Sequence, residues 1–298
     1  MSLRVTSIGE LATALTTPTS VGRVTRVFRN SAYVESEGGL YTLLRGGPRS
    51  PMTINVSGTE EIERALKAGD ACRYRDKRLN IGGVRLQTEG AGVYRSELRK
   101  PTFINPITSA DIVKGIAMLR LLYHASPPSL DIVGHKSFLD FVHSVVLPLG
   151  RGELTGLHQP RNYLALVGLG SGFTPSGDDL LAGFAGAYNH VARSTGAESI
   201  ALPLAELSKR TVFESAMILD YAQKGYVDEG LERLILSSLG NSAGDFFDEL
   251  LELTRRGHTS GIDMSLGVIL SVAAVRAWTQ HDRTLQDVLR ALTGSRTL

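Results

Sequence analysis

The chain has 298 residues, 42% of them hydrophobic and 21% charged, with a formal net charge of +2 and a single cysteine, Cys72. This balance excludes an extensively disordered chain and leaves room for one large domain or two ordinary ones with a sizeable core. One cysteine excludes an internal disulfide and any multi-cysteine metal site. Residues 1–20 hold no apolar run long enough for a signal peptide, so the expectation is a cytoplasmic protein without a membrane anchor.

Charge is unevenly placed. Residues 1–104 carry 16 Lys and Arg against 10 Asp and Glu, while residues 105–298 carry 16 against 20. The basic excess alternates with acids and apolar residues, as in Arg73-Tyr-Arg-Asp-Lys-Arg78. No nucleic-acid motif accompanies it. The plainer reading is a solvated sheet face or one half of a domain or subunit contact, with no nucleic acid.

In chain order, residues 21–28, 32–35, 40–44 and 52–56 are short runs rich in β-branched and aromatic side chains. Turn signals separate them at Asn30-Ser31, Gly38-Gly39 and Gly46-Gly47-Pro48. A short charged helix is predicted over 60–68, then strands at 72–74, 84–87 and 93–98. Several short strands at close spacing predict a small β barrel or sandwich over residues 1–104.

Residues 101–106 read as a linker, and a helical period begins after them. Ile112, Ile116, Leu119 and Tyr123 share one face of a helix over 109–123. A second helix over 138–147 is expected to end at Pro148. Further helices are predicted at 176–193, 204–223, 228–239, 243–255, 260–278 and 284–292. The apolar stretch 264–278 reads as too short and too polar to span a bilayer, and as a buried helix. The expected fold class is therefore α+β: a β module over 1–104, then a mostly helical bundle over 105–298. Ala182, Gly183, Ala185, Gly186 and Ala187 would let the helix after 176 sit at the centre of its bundle.

The most informative stretch is Gly168-Leu-Gly-Ser-Gly-Phe-Thr-Pro-Ser-Gly-Asp-Asp179. Four glycines, three hydroxyls and two adjacent carboxylates lead into an apolar helix, where free N–H groups attract anions. The stretch has a counterpart. Ser176-Gly177-x-Asp179 is followed by Gly183, and Ser260-Gly261-x-Asp263 is followed by Gly267, with Thr174 and Thr259 just upstream. Capping explains part of this, since Ser176 with Asp179 and Ser260 with Asp263 fit S-x-x-D capping boxes. It leaves Gly168, Gly170, Gly172, the carboxylate pair and His258 unexplained.

The stretch is not a Walker loop, because no Gly-Lys-Ser/Thr follows. Nor is it a dinucleotide fingerprint, although residues 163–167 would serve as a preceding strand, because Phe173 stands where glycine is needed. It suits a phosphate, carboxylate or carbamoyl group held by loop N–H groups, Thr174 and Ser176. Asp178 and Asp179 would accept from an amide or hold Mg2+, a hard cation that prefers oxygen ligands.

Residues 168–183 resemble the signature G-L-G-x-G-L-T-P-S-G-D-D-x-L-x-G of the oxamate carbamoyltransferase third-subunit family, with Ser171 for a common proline and Phe173 for leucine. Gly257-His-Thr-Ser-Gly-Ile-Asp263 is similar to that family's second motif. The resemblance implies a cytoplasmic component of allantoin or related nitrogen catabolism, in which phosphate splits oxalurate into oxamate and carbamoyl phosphate. It also implies partner subunits, one of them similar to acyl-CoA synthetases. The usual carbamoyltransferase motifs, S-T-R-T and H-P-x-Q, are absent from the sequence.

The expected site thus assigns Asp178, Asp179 and His258 to catalysis. Gly170, Gly172, Thr174, Ser176, Gly177, Thr259, Ser260 and Asp263 are assigned to ligand binding. A helix N-terminus beside His258 favours its neutral form. The other histidines, at 124, 135, 143, 158, 190 and 281, show no metal spacing. Arg210, Thr211 and Ser215 read as an exposed helix face and Cys72 as a packed thiol. Two readings compete with a carbamoyltransferase component: a non-catalytic binding or assembly subunit, and an ATP- and Mg2+-dependent ligase.

Overall fold

The structure, a computed structural model, describes residues 2–37, 39–75, 78–125, 132–241 and 244–293, and the backbone but not the side chain of His158. The predicted turn residue Gly38, Asp76 and Lys77 of the basic run, and the predicted helix start at Ala243 lie outside the described residues. By internal contacts the chain divides into Met1–Ser96 and Glu97–Leu298.

The first unit is a closed β barrel. Its strands are β1 (Ser2–Gly9), β2 (Val21–Phe28), β3 (Ser31–Ser36), β4 (Gly39–Arg45), β5 (Thr53–Ser57), β6 (Ala71–Arg75), β7 (Arg78–Ile81) and β8 (Val84–Gln87). They run in the order β5-β4-β3-β2-β6-β7-β8-β1, and β1 closes the ring on β5. A further strand, β9 (Gly92–Tyr94), pairs with β1 at Ser7–Gly9, beyond the Ser2–Arg4 stretch that pairs with β8. Closure leaves the eight strands without free edges. Inward side chains such as Leu3, Val5, Val24, Val34, Leu43, Ile54, Leu79 and Leu86 form the core, and the intervening residues face out.

Two strands, β1 and β7, have no counterpart in the sequence reading, and both complete the ring. The predicted helix over 60–68 is only a 3-10 turn at Ile62–Arg64. There Ile62 is buried in the barrel core and its N–H donates to the Arg29 carbonyl. Burying one isoleucine at that point outweighs a helix that would keep it exposed.

The second unit is helical. It comprises α1 (Ser109–Ala125), α2 (Lys136–Phe141), α3 (Leu147–Gly150), α4 (Arg161–Leu164), α5 (Ser176–Thr195), α6 (Leu204–Leu207), α7 (Phe213–Gln223), α8 (Glu229–Ser238), α9 (Phe246–Thr254), α10 (Ser260–Gln280) and α11 (Thr284–Thr293). Helices α5 and α10 are buried almost all round, as apolar helices at a bundle centre must be. The helix α10 runs longer than the apolar stretch 264–278, and by length and composition alone it is apolar enough to cross a membrane. It is mostly buried, as the reading of 264–278 as a buried helix expects. Here it is a core helix, with Leu266, Val268, Leu270, Ala273 and Val275 all buried.

Three further expectations change. Pro148 does not end a helix: α2 runs on through a wider π turn at Val142–Val146, where the Leu147 N–H donates to the Val142 carbonyl, into α3, whose first turn holds Pro148. Residues 163–167 are no strand, since Tyr163 and Leu164 belong to α4. The helix predicted over 204–223 breaks into α6 and α7. No glycine or proline marks that break, and its cause is tertiary.

Candidate functional site

The break between α6 and α7 meets the glycine loop. Gly168 has φ 77°, and a Cβ there would lie 2.1 Å from the Arg210 carbonyl oxygen. Its N–H donates to Asp178 Oδ1 at 2.8 Å. Asp178 Oδ2 accepts from the Thr211 hydroxyl at 2.5 Å and the Ser215 hydroxyl at 2.6 Å. This buried carboxylate therefore ties the loop, the 208–212 connector and α7 together. A buried charge needs such donors, and here three supply them. The exposed helix face expected of Thr211 and Ser215 is corrected on the same grounds, since Ser215 is 1% exposed and both hydroxyls serve Asp178.

Helices α5 and α10 cross with their N-terminal turns in reciprocal contact. A Cβ on Gly183 would fall 2.0 Å from the Met264 carbonyl oxygen, and one on Gly267 would fall 2.0 Å from that of Leu180. Met264 follows Asp263 just as Leu180 follows Asp179. The second residues match as well. A Cβ on Gly177 would lie 1.9 Å from the Leu166 carbonyl oxygen, and one on Gly261 would lie 1.9 Å from that of Leu253. The repeated S-G-x-D-x-x-x-G pattern is thus one packing device used twice, with backbones approaching at glycine.

The side chains exchange across the crossing. Asp179 interacts with the hydroxyls of Ser260 and Thr174, and Asp263 with those of Ser176 and Thr259. Thr174 and Ser260 are themselves hydrogen-bonded at 3.0 Å. Tyr123 of α1 donates its hydroxyl to Asp263 Oδ1. Ser176 and Ser260 are therefore not N-caps, contrary to expectation. The caps are Pro175 and Thr259, neither of which makes a side-chain cap bond. Each serine instead reaches a buried carboxylate on the opposite helix, a stronger partner than a backbone N–H near water.

Asp179 and Asp263 are 2% and 0% exposed. Burial raises the Asp179 carboxyl well above the ordinary carboxylate range; the Ser260 and Thr174 hydroxyls oppose this, and the charges of Asp263 and Asp178 add to it. Burial likewise pushes Asp263 up to about 6, against the hydroxyls of Tyr123, Ser176 and Thr259. Oδ2 of each acid has no hydrogen-bond partner of good geometry. An acid biased toward its protonated form beside one that ionises near neutrality presents a donor and an acceptor side by side.

The two motifs therefore bring together Thr174, Ser176, Asp179, Thr259, Ser260 and Asp263. Gly177 supports this cluster through its backbone contact, and Gly170, with φ 112°, packs against the Ser176 N–H. Gly172 is exposed, with φ 110° and an open surround. His258 is exposed in the turn before α10. Asp178 faces the loop and α7 instead, where its oxygens accept from the Gly168 N–H and the Thr211 and Ser215 hydroxyls. Among the described residues, no group of three His, Cys, Asp or Glu side chains converges as metal ligands. Tyr123 was missed as a site residue because a lone tyrosine on an apolar helix face reads as core. Cys72 is buried, and burial alone pushes its thiol up to about 12.

Two models of one family match the chain. That of the AllH family N-terminal domain matches residues 4–94, and that of oxamate carbamoyltransferase subunit AllH matches residues 166–272. No curated protein and no solved structure matches it. Together the two matched segments take in more than half of the sequence, and the chain belongs to the AllH family, named for a subunit of oxamate carbamoyltransferase.

Proposed function

We propose that this chain serves, within a multi-subunit oxamate carbamoyltransferase of the cytoplasm, as the subunit that binds the amide- or carbamoyl-bearing substrate at the α5–α10 crossing. The reaction is phosphorolysis of oxalurate to oxamate and carbamoyl phosphate, in a route of allantoin or related nitrogen catabolism, with partner subunits completing the enzyme. The observation that carries this reading is the pair Asp179 and Asp263, both buried and each with one oxygen lacking a good partner. A protonated acid donates to a carbonyl oxygen while its ionised neighbour accepts from an amide N–H. Those two groups lie side by side on the edge of every primary amide. Burial makes such a donor–acceptor pair selective, because an analogue lacking either group leaves a buried polar atom unpaired.

Thr174, Thr259 and Ser260 add hydroxyls around the acids, and all three are only half-buried. Loop N–H groups at the start of α5 favour the anionic end of the same ligand. Asp178 has a positioning role, because its carboxylate fixes the loop that carries Gly170 and Thr174.

The test is oxalurate phosphorolysis by the chain reconstituted with its partner subunits, comparing wild type with Asp179→Asn and Asp263→Asn. Loss of more than about tenfold in kcat/KM, with thermal unfolding retained, is the expected outcome. Unchanged kinetics in both variants would sink the proposal. They would favour a second reading, an assembly subunit whose crossing is purely structural. One observation supports that alternative: Ser176, Gly177, Asp179 and Gly183 and their counterparts all have intramolecular contacts that account for them.

A further inference from the structure

The outer face of the barrel carries a second feature, separate from the α5–α10 crossing and independent of the reading given to it. Along β1, β8, β7 and β6 the outward positions hold Arg4, Arg85, Arg78, Arg73 and Arg75, all exposed. Strand register makes them contiguous. Arg4 lies opposite Gln87, Ser2 and Asn80 flank Arg85 on either side, Asn80 pairs with Arg73, and Arg75 faces Arg78 directly. Among the described residues no carboxylate occupies these strand rows, and none of the five arginines is in an ion pair. Round the barrel the pattern differs: on β2 and β3, Arg23 sits opposite Glu35.

Like charges directly opposite on a sheet are destabilising. A fold free to choose would mix signs here, as it does at Arg23 and Glu35. Arg4, Arg78, Arg85, Gln87, Thr88 and Glu89 line a groove of about 480 Å3 on this wall, so that three guanidinium groups face one carboxylate just past the end of β8. The guanidinium is a planar fork that matches carboxylates in pairs, and among the described residues these rows hold arginine and no lysine.

We propose that this arginine wall is the docking face for a carboxylate-rich surface of a partner subunit of the same enzyme. Four strands about 4.8 Å apart make the wall roughly 14 Å wide, broader than a single small anion covers. The rows contain no aromatic side chain on which a base would stack, so a single-stranded nucleic acid is the poorer fit. The family's membership of a multi-subunit carbamoyltransferase supplies the need for a protein partner.

The experiment uses the full chain co-expressed with its partner subunits. Arg4, Arg78 and Arg85 are replaced together by Glu and, as a milder set, by Gln, with thermal unfolding as the fold control. The proposal expects association to weaken about tenfold or more in the Glu set and less in the Gln set, and to be salt-sensitive in the wild type. If the Glu set does not fold, the Gln set carries the decision. Assembly unchanged in the folded variants overturns the proposal. So does assembly unchanged alongside lost binding of duplex DNA, which would assign the wall to nucleic acid. Assembly unchanged alongside lost thermal protection by inorganic phosphate would reassign the groove to a small anion and overturn it equally. Phosphorolysis by the wild-type complex is read separately, so a failure of the amide-site reading leaves this result interpretable.

Discussion

The α5–α10 crossing and the outer barrel wall handle unpaired charge in opposite ways. At the crossing, two carboxylates sit in the interior, and their environment shifts their protonation and surrounds them with hydroxyls. On the wall, five arginines stand in water with no carboxylate among the described residues of their strand rows. Solvent screens the second set, so its cost is small and its use lies in association. Nothing screens the first set, so its cost is large and must be met inside the fold. The difference teaches where substitution will be felt: in folding at the crossing, in binding on the wall.

The largest effect should come from closing the space between the two helices. Gly183→Val or Gly267→Val drives a side chain into a backbone carbonyl now only 2.0 Å from the site of the added Cβ. A loss of more than about 3 kcal/mol is expected in chemical denaturation, against about 0.5 kcal/mol or less for Arg85→Ala on the wall. Equal losses at both places would break the comparison.

Protonation sharpens it next. Asp263 has a folded pKa of about 6 against the 3.8 of an ordinary aspartate, so the native state holds the extra proton between those values. Stability therefore falls as pH rises through that window, Asp263 contributing on the order of 3 kcal/mol, and the raised Asp179 carboxyl carries the fall to higher pH. Asp263→Asn should lose the Asp263 share and show a shallower fall. Urea midpoints from pH 4 to 8 in both proteins provide the measurement, and parallel profiles would count against a buried, proton-holding Asp263.

A smaller effect is expected at Asp178, whose loss frees one N–H and two hydroxyls. Asp178→Ala should cost about 2 kcal/mol and raise proteolysis in the glycine loop. Thr211→Val and Ser215→Ala should each reproduce part of it. The smallest effect concerns the barrel interior. With its thiol pushed up to about 12, Cys72 should resist a thiol reagent at pH 8 in the folded protein and react only on unfolding.

Much of the fold was legible because its signals are local. A run of β-branched and aromatic residues between turn signals marked the strand at Val21–Phe28, and apolar stretches behind the two glycine-led starts marked α5 and α10. The barrel's closure was not legible, because β1 and β7 are recognised by their partners rather than by their own composition. The break at residues 208–212 was hidden for the same reason. No breaker residue lies there, and Arg210 and Thr211 are held by Gly168 and Asp178.

At the two helix starts, the sequence determined that α5 and α10 open on matching sets of residues. Glycine, serine and aspartate at fixed spacing narrow the backbone and side-chain options of each helix start. Only the tertiary structure decided what those residues do. Capping and crossing use the same residue types at the same spacing, and the sequence carries no information on which partner lies closer. Once α5 and α10 approach at Gly183 and Gly267, each serine meets an aspartate of the other helix, and the buried carboxylate is the stronger partner for its hydroxyl.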